Sequence, residues 1–324
     1  MEISCAFPAS VRHLDHVSLA EDLGYRRAWF YDSPALYEDV WMVLALAARA
    51  TRTIGLGPAV LVPDLRHVLV TASAIATLVD LAPGRVEIAI GTGFTGRRVL
   101  GQKPLTWAYV DTFLTDLRTL LDGGQVVVDG KPVQMIHPEG YGPARPIDVP
   151  LIVAANGPMG RAVAERVGDG IMCIVSPQPG FERCSLLTYG TILDEGESLA
   201  DERVMLAAGP AAAAAYHGLY EANPDAVMGL PGGPIWRDGI ESIPAETRHL
   251  AIHEGHFVHP SDRDRAAFRH DPSLIGAFTW TGPPDDIRGR VKMAGDGGAT
   301  EILFAPMGPD PERELRRFIE TASG

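Results

Sequence analysis

Lysine is scarce in this chain of 324 residues. Its only three lysines lie beside turn residues or in a polar helical stretch: Lys103, Lys131 and Lys292. Enzymes that form a Schiff base need a lysine that is desolvated in a pocket. The sequence also has no Gly-x-x-x-x-Gly-Lys-Ser/Thr segment. These absences argue against lysine-imine chemistry, pyridoxal phosphate enzymes and P-loop NTPases.

Basic charge and long apolar runs are also scarce. The formal net charge is −13, whereas nucleic acids and anionic membranes attract basic surfaces. The longest apolar run ends before Arg49 and is far shorter than the ~20 residues that cross a bilayer. We expect no nucleic-acid or membrane partner and no signal peptide. Three cysteines, an odd number, fit a reducing compartment, so we predict a soluble cytoplasmic protein.

Short β-rich runs alternate along the chain with longer amphipathic runs. The predicted strands cover residues 2–6, 27–31, 53–62, 85–91, 150–155, 170–175, 203–207 and 301–305. Eight strands with helical patterns between them are typical of a (β/α)8 barrel, also called a TIM barrel. We therefore predict one barrel domain over residues 1–324.

Two segments interrupt this alternation. Residues 125–136 contain an Asp129-Gly130 turn between β-rich arms, which predicts an inserted hairpin. Residues 216–276 are rich in Gly, Pro and His and are too long for a simple loop, which predicts an insertion with helices of its own.

A glycine-rich motif, GTGFTG, follows the predicted fourth strand and has glycines at Gly91, Gly93 and Gly96. It matches the G-x-G-x-x-G pattern of dinucleotide-binding folds, but those folds carry the pattern after their first strand. A glycine-lined loop at the mouth of a barrel is favoured, where backbone N–H groups can approach a cofactor closely. A plain turn remains an alternative.

A second loop, AANGP, follows the predicted fifth strand and contains Asn156 and Gly157. A helix is expected to begin near Gly160, and Arg161 lies in its first turn. The N-terminus of a helix attracts phosphate because its N–H groups are unpaired. The alternative is that Asn156 and Gly157 only form a turn.

Two further strand ends are candidates for function. Pro58 and Pro63 interrupt the third strand, which predicts irregular backbone near Ala59 and Val60 or simply an early strand end. Asp32 follows the second strand, where barrel enzymes carry catalytic groups, although it also fits a helix cap.

Histidines are concentrated late in the chain, at His249, His253, His256, His259 and His270. The segment HLAIHEGH does not have the H-E-x-x-H spacing of zinc metalloproteases. We therefore predict no metal site and expect these histidines to cap helices or face a ligand.

Together these segments resemble the luciferase-like monooxygenase superfamily, in particular its branch that uses the deazaflavin coenzyme F420 and is similar to methylene-tetrahydromethanopterin reductase. The resemblance is carried by AEDLGYRRAWFYDSP, IGLGPAVLVPDLRH, GRVEIAIGTGFTG, PLIVAANGPMGRAVAERVGDGI and RHLAIHEGH, and by the closing GPPDDIRGRV and GGATEILFAP. It implies a (β/α)8 barrel that holds its cofactor at the C-terminal mouth.

The resemblance also implies site residues. A non-prolyl cis peptide would join Ala59 and Val60, Thr92 and Gly93 would line the polar tail of the cofactor, and Asp32 matches an acidic residue of the active-site loop. The phosphate region would be formed by Ala155, Asn156 and Gly157. The family often has histidine after the acidic residue, where this chain has Ser33.

The cofactor carries negative charge, which requires a local basic pocket in an acidic protein. The basic residues that flank the two glycine loops are Arg97, Arg98, Lys103 and Arg161. They are candidates for that pocket, and the alternative is a solvated helix face.

The resemblance implies an F420-dependent oxidoreductase that transfers a hydride between the deazaflavin and a small organic substrate beside Asp32 and Trp41. An FMN-dependent monooxygenase and a non-catalytic cofactor-binding protein are the alternatives. A homodimer is the expected assembly.

Overall fold

The computed structural model describes residues 1–324 and contains ten strands. The strands in chain order are β1 (Glu2–Pro8), β2 (Arg27–Tyr31), β3 (Gly55–Pro58), β4 (Ile88–Ile90), β5 (Val126–Val128), β6 (Lys131–Val133), β7 (Leu151–Ala154), β8 (Gly170–Cys173), β9 (Cys184–Tyr189) and β10 (Glu301–Ala305). Strands β5 and β6 pair with each other as an antiparallel hairpin. The other eight form one parallel sheet.

The parallel sheet closes into a barrel. Its strand order is β3-β2-β1-β10-β9-β8-β7-β4. Parallel bridges from Leu56 to Val86 and from Leu61 to Ile90 join its two edges. This closure confirms the (β/α)8 barrel predicted from the alternation of strands and helices.

Thirteen helices surround and extend the barrel. They are α1 (Leu14–Asp22), α2 (Val40–Ala50), α3 (Val68–Leu81), α4 (Phe94–Arg98), α5 (Trp107–Leu121), α6 (Pro158–Val167), α7 (Glu202–Ala222), α8 (Gly233–Glu241), α9 (Arg248–Ile252), α10 (Asp262–His270), α11 (Ser273–Phe278), α12 (Pro284–Asp296) and α13 (Pro311–Ser323). No helix combines the length and the apolar character that crossing a bilayer requires.

The strands are buried on both faces, which explains their nearly continuous apolar runs. In β10, Ile302 and Phe304 pack in the core between strands and outer helices. The alternate residues Leu303 and Ala305 pack inside the barrel. This alternation around the barrel fixes which side chains point into the barrel interior.

Buried charges occupy the end of the barrel where its strands begin. The guanidinium of Arg27 lies between two carboxylates, with Nη1 2.9 Å from Glu301 and Nη2 2.5 Å from Glu87. The hydroxyls of Ser4 and Ser185 also donate hydrogen bonds to Glu301. Each charge therefore has partners, which a buried ion needs.

The predicted seventh strand is wrong. Residues 203–207 lie in the first turns of α7, and the seventh barrel strand is β9. The alanine-rich residues 211–215 that follow favour a helix, and the helix extends back through the ambiguous RVMLA segment. Residues 174–183, which join β8 to β9, contain no helix, and Pro177 and Pro179 oppose one.

A helical segment from α7 to α11 extends the barrel between β9 and β10. It has its own core, in which Tyr216 stacks on Trp236 with ring centroids 5.4 Å apart. Ala211 of the same helix α7 packs with the residues inside the barrel. Helix α7 therefore joins this segment to the barrel interior.

Candidate active site

A cavity of about 830 Å³ opens where the barrel strands end. Its volume lies within the range of ~300–1,000 Å³ that is usual for small-molecule sites. Lining residues come from the ends of successive strands, among them Asp32 after β2, Val60 after β3, Gly91 after β4 and Ala154 in β7. The carboxyl ends of barrel strands are where TIM-barrel enzymes place their active sites.

One wall of the cavity is built from small residues. A Cβ atom placed on Gly91 would lie 3.0 Å from Cγ2 of Val60 and 3.5 Å from Cβ of Ala154. The peptide bond between Ala59 and Val60 is cis, as the resemblance implies. Because these side chains are short, the wall leaves room for a flat ring against the backbone.

The glycine loop after β4 borders the same wall. Gly93 has φ +74°, and a Cβ there would lie 2.4 Å from Cγ1 of Val62, so glycine is required. Thr92 and Gly93 both line the cavity. The loop leads into the short helix α4 and not into a long helix that could bind a pyrophosphate at its N-terminus.

The second predicted loop contributes Ala155 and Asn156 to the lining, whereas Gly157 lies outside it. Oδ1 of Asn156 accepts hydrogen bonds from the backbone N–H of Ile174 at 2.8 Å and of Val175 at 3.3 Å. Asn156 therefore also holds the connection between β8 and β9 in place.

The arginines beside these loops are paired with acidic side chains. The pairs are Arg97 with Asp64, Arg98 with Glu221, and Arg161 with Glu165. Neither Arg97 nor Arg161 lines the cavity. These arginines therefore do not present unpaired positive charge to it.

Asp32 lines the cavity and is 3% exposed. Its Oδ2 accepts a hydrogen bond from Nη1 of Arg66 at 2.7 Å and a longer one from the backbone N–H of Val62 at 3.4 Å. Burial raises the pKa of Asp32, and the interactions with Arg66 and Val62 offset part of that rise. Trp41, expected beside the substrate, instead packs against the core outside the barrel.

Aromatic side chains also line the cavity, which the sequence did not reveal. Phe257 packs against Tyr189 and Tyr31, with ring centroids 5.1 Å and 5.8 Å away. The Oη of Tyr31 and the Oγ1 of Thr188 are buried without a hydrogen-bond partner. Burial also raises the pKa of Tyr31, which keeps its hydroxyl a neutral donor. Both residues line the cavity.

The sequence predicts that the late histidines cap helices or face a ligand, and two of them, His253 and His256, line the cavity. His253 and His256 are buried beside His217 of α7, and all three line the cavity. His249 lies apart from them, near Gly101. Only folding of the helical segment over the barrel brings His217 to this group, so no local spacing in the sequence reveals it.

The chain is similar to known proteins over most of its length. The chain is 29% identical to the 5,10-methylenetetrahydromethanopterin reductase of Methanopyrus kandleri, over 95% of this chain and 92% of that protein. It is 37% identical to the F420-dependent glucose-6-phosphate dehydrogenase of Beutenbergia cavernae, over 40% of each chain.

A solved structure, the coenzyme F420-dependent tetrahydromethanopterin reductase of Methanopyrus kandleri, has the same fold. Its TM-score is 0.67 at 22% identity, and the match covers 99% of this chain and 98% of that one. Residues 8–301 match the family described as luciferase-like monooxygenase. Because this match covers most of the sequence, the chain belongs to the luciferase-like monooxygenase family.

Proposed function

We propose that this protein is an F420-dependent oxidoreductase that transfers a hydride between the deazaflavin and a small organic substrate. The observation that carries the proposal is the wall of short side chains at the cavity mouth, formed by Val60, Gly91 and Ala154. The proteins named above support the choice of F420, since the glucose-6-phosphate dehydrogenase and the solved tetrahydromethanopterin reductase are both named for their dependence on F420.

The residues fit a flat cofactor with a polar tail. Ala59 and Val60, with Gly91 and Ala154, would hold the ring, and Thr92 and Gly93 would flank the tail. Deazaflavin, when bound, supplies the hydride chemistry, and the protein supplies orientation and exclusion of water.

The charged end of the cofactor would lie toward Ala155, Asn156 and Gly157. A Cβ on Gly157 would meet nothing within 4 Å, so the backbone there is open to approach. Direct contact from Arg97 or Arg161 stays a prediction, since each arginine would have to leave its carboxylate.

The substrate would lie against the aromatic wall of Tyr31, Tyr189 and Phe257, which favours an apolar organic molecule. We propose that Asp32 orients the substrate or exchanges a proton with it.

Fluorescence titration of the purified protein with F420 and, separately, with FMN tests the proposal. We expect saturable binding of F420 and weak binding of FMN. Ala154→Leu extends a side chain into the cavity and is expected to weaken F420 binding by at least tenfold. The control Ala108→Leu makes the same substitution at an exposed position of α5 and is expected to leave F420 affinity unchanged.

Two results would overturn the proposal. Preferential binding of FMN would favour the flavin monooxygenase alternative. Equal F420 affinity in Ala154→Leu and wild type would show that the ring does not bind at the small-residue wall.

A further inference from the structure

We propose that His217, His253 and His256 form a binding site for a divalent transition metal ion of the zinc class, at the edge of the cavity. The proposal goes beyond the proposed redox function and does not depend on which cofactor the protein uses. These three residues form the histidine trio.

The ring nitrogens of the trio are close enough to share an ion. Nδ1 of His217 lies 3.2 Å from Nδ1 of His256. One nitrogen from each of the three rings lies within 4.8 Å of the others. Two nitrogen ligands about 2.0–2.1 Å from one tetrahedral zinc ion are about 3.3 Å apart.

Partners outside the trio orient two of the rings. Nε2 of His253 lies 3.0 Å from Oε1 of Glu221, which leaves Nδ1 of His253 buried and without a partner. Nε2 of His256 lies 3.3 Å from Oγ1 of Thr95. In metal sites the ligating histidine commonly donates its other ring N–H to a carboxylate or another acceptor. The contacts of His253 and His256 have this arrangement, with Nδ1 as the ligand atom.

Burial of the trio also fits a metal ligand set. Each of the three residues is at most 5% exposed. The unpaired Nδ1 of His253 carries a desolvation cost there, which a bound ion would remove.

The position of the trio leaves a coordination place open. All three histidines line the cavity. Three protein ligands plus one exchangeable ligand is the arrangement of catalytic zinc sites, in contrast to structural zinc sites with four protein ligands. The fourth ligand would be a water molecule or an oxygen atom of a molecule in the cavity.

Metal titration of the chelator-treated protein tests this site. We expect calorimetry to find one Zn²⁺ per chain. We also expect Co²⁺, used as a probe, to give the visible absorption bands of tetrahedral nitrogen coordination. His253→Gln and His256→Gln are expected to abolish both signals. The control His249→Gln, in the same segment but outside the trio, is expected to keep both.

A second variant tests the arrangement without removing a ligand. Glu221→Gln keeps the side chain's size and is expected to weaken Zn²⁺ binding by about 10–100-fold, the usual effect of losing such an outer partner. If a histidine variant fails to fold, the Glu221→Gln result decides, with circular dichroism as the check of folding. Absence of saturable Zn²⁺ binding in the wild type, or unchanged binding in Glu221→Gln and the folded histidine variants, would overturn the proposal. Because F420 is absent from this titration, its outcome is independent of the F420 test.

Discussion

Asp32 is the side chain whose role in turnover can be tested most simply. Its carboxylate is buried in the cavity wall and bonded to Arg66. Positioned proton transfer typically contributes 10²–10⁴-fold to a rate. We therefore expect Asp32→Asn to lower kcat by about 10²–10⁴-fold while F420 affinity changes little, as measured by steady-state kinetics and fluorescence titration.

A matched control is Asp39→Asn. Asp39 also contacts Arg66, at 3.1 Å, but it caps α2 and does not line the cavity. We expect its kcat to stay close to that of the wild type. If Asp32→Asn turns over within a few-fold of the wild type, Asp32 has no part in proton exchange.

Glu21 gives a prediction about pH and stability. Its Oε1 accepts hydrogen bonds from the backbone N–H of Thr53 at 2.6 Å and of Ile54 at 2.9 Å. Partial burial raises the pKa of Glu21, but the hydrogen bonds from Ile54, Thr53 and Arg52 outweigh it and lower the pKa from 4.5 to about 2. The stabilisation from Glu21 is therefore fully present above pH 4.5 and is lost as the pH falls toward 2.

Urea unfolding of the wild type and Glu21→Gln at a series of pH values measures this effect. We expect the wild type to be the more stable protein near neutral pH, and the difference between the two to shrink as the pH falls below about 4.5. A difference that stays constant with pH would contradict the prediction. The exposed Glu139→Gln serves as the control.

Among single residues, the sequence predicts the positions of those that directly follow a strand. Asp32, Val60, Thr92 and Asn156 each follow a strand, so the barrel places them at one mouth. Arg66 could not be paired with Asp32 in this way, because the contact depends on the path of the loop after β3. The sequence likewise shows candidate basic residues but not the acidic partners that pair with them.

Replacing glycine by alanine is expected to stabilise one helix and to destabilise another. Gly289 is exposed in α12, and an added Cβ would meet nothing within 4 Å. We expect Gly289→Ala to raise the free energy of unfolding by about 0.5–1 kcal/mol, because alanine loses less backbone entropy in a helix.

The paired substitution is Gly160→Ala in α6. A Cβ there would lie 2.4 Å from Cζ2 of Trp107 and 2.5 Å from Cβ of Ala155. We expect a loss of about 1–3 kcal/mol from this overpacking. Equal effects of the two substitutions in denaturant unfolding would contradict the packing described here.

The misassigned seventh strand shows where prediction of elements fails. RVMLA can form a strand or a helix, and a regular βα alternation favours a strand at residues 203–207. The true strand β9 follows β8 without an intervening helix, so the alternation itself is broken there. Tertiary packing, and not local preference, determines that residues 203–207 are helical and that residues 184–189 form a strand.

For the whole molecule, we expect the free energy of unfolding to depend strongly on the buried charged side chains at the end of the barrel where its strands begin. Arg27 contacts both Glu87 and Glu301, and its side chain is 5% exposed. Arg27→Met would leave Glu301 buried without its cation, while Glu87 would keep Arg183 at 2.7 Å, and we expect the change to cost about 3–5 kcal/mol of unfolding free energy.

The neighbouring Arg26 provides the control. Its pair with Glu2 is about half exposed, at 53% and 52% for the two side chains, so Arg26→Met is expected to change stability by less than about 1 kcal/mol. Similar unfolding free energies for the two variants would mean that the buried ions contribute nothing specific.

The barrel itself was predictable because strand and helix patterns alternate over most of the chain. The histidine trio was not, since it joins α7 to residues that follow α9. The homodimer and the cytoplasmic location stay predictions, and sedimentation of the purified protein tests the first.

A crystal structure of the protein with F420 would show whether the cofactor binds at the barrel mouth. We expect the deazaflavin ring to lie against Val60, Gly91 and Ala154, with the tail of the cofactor passing Thr92 and Gly93. A ring bound outside this cavity, or a complex that forms only with FMN, would contradict it.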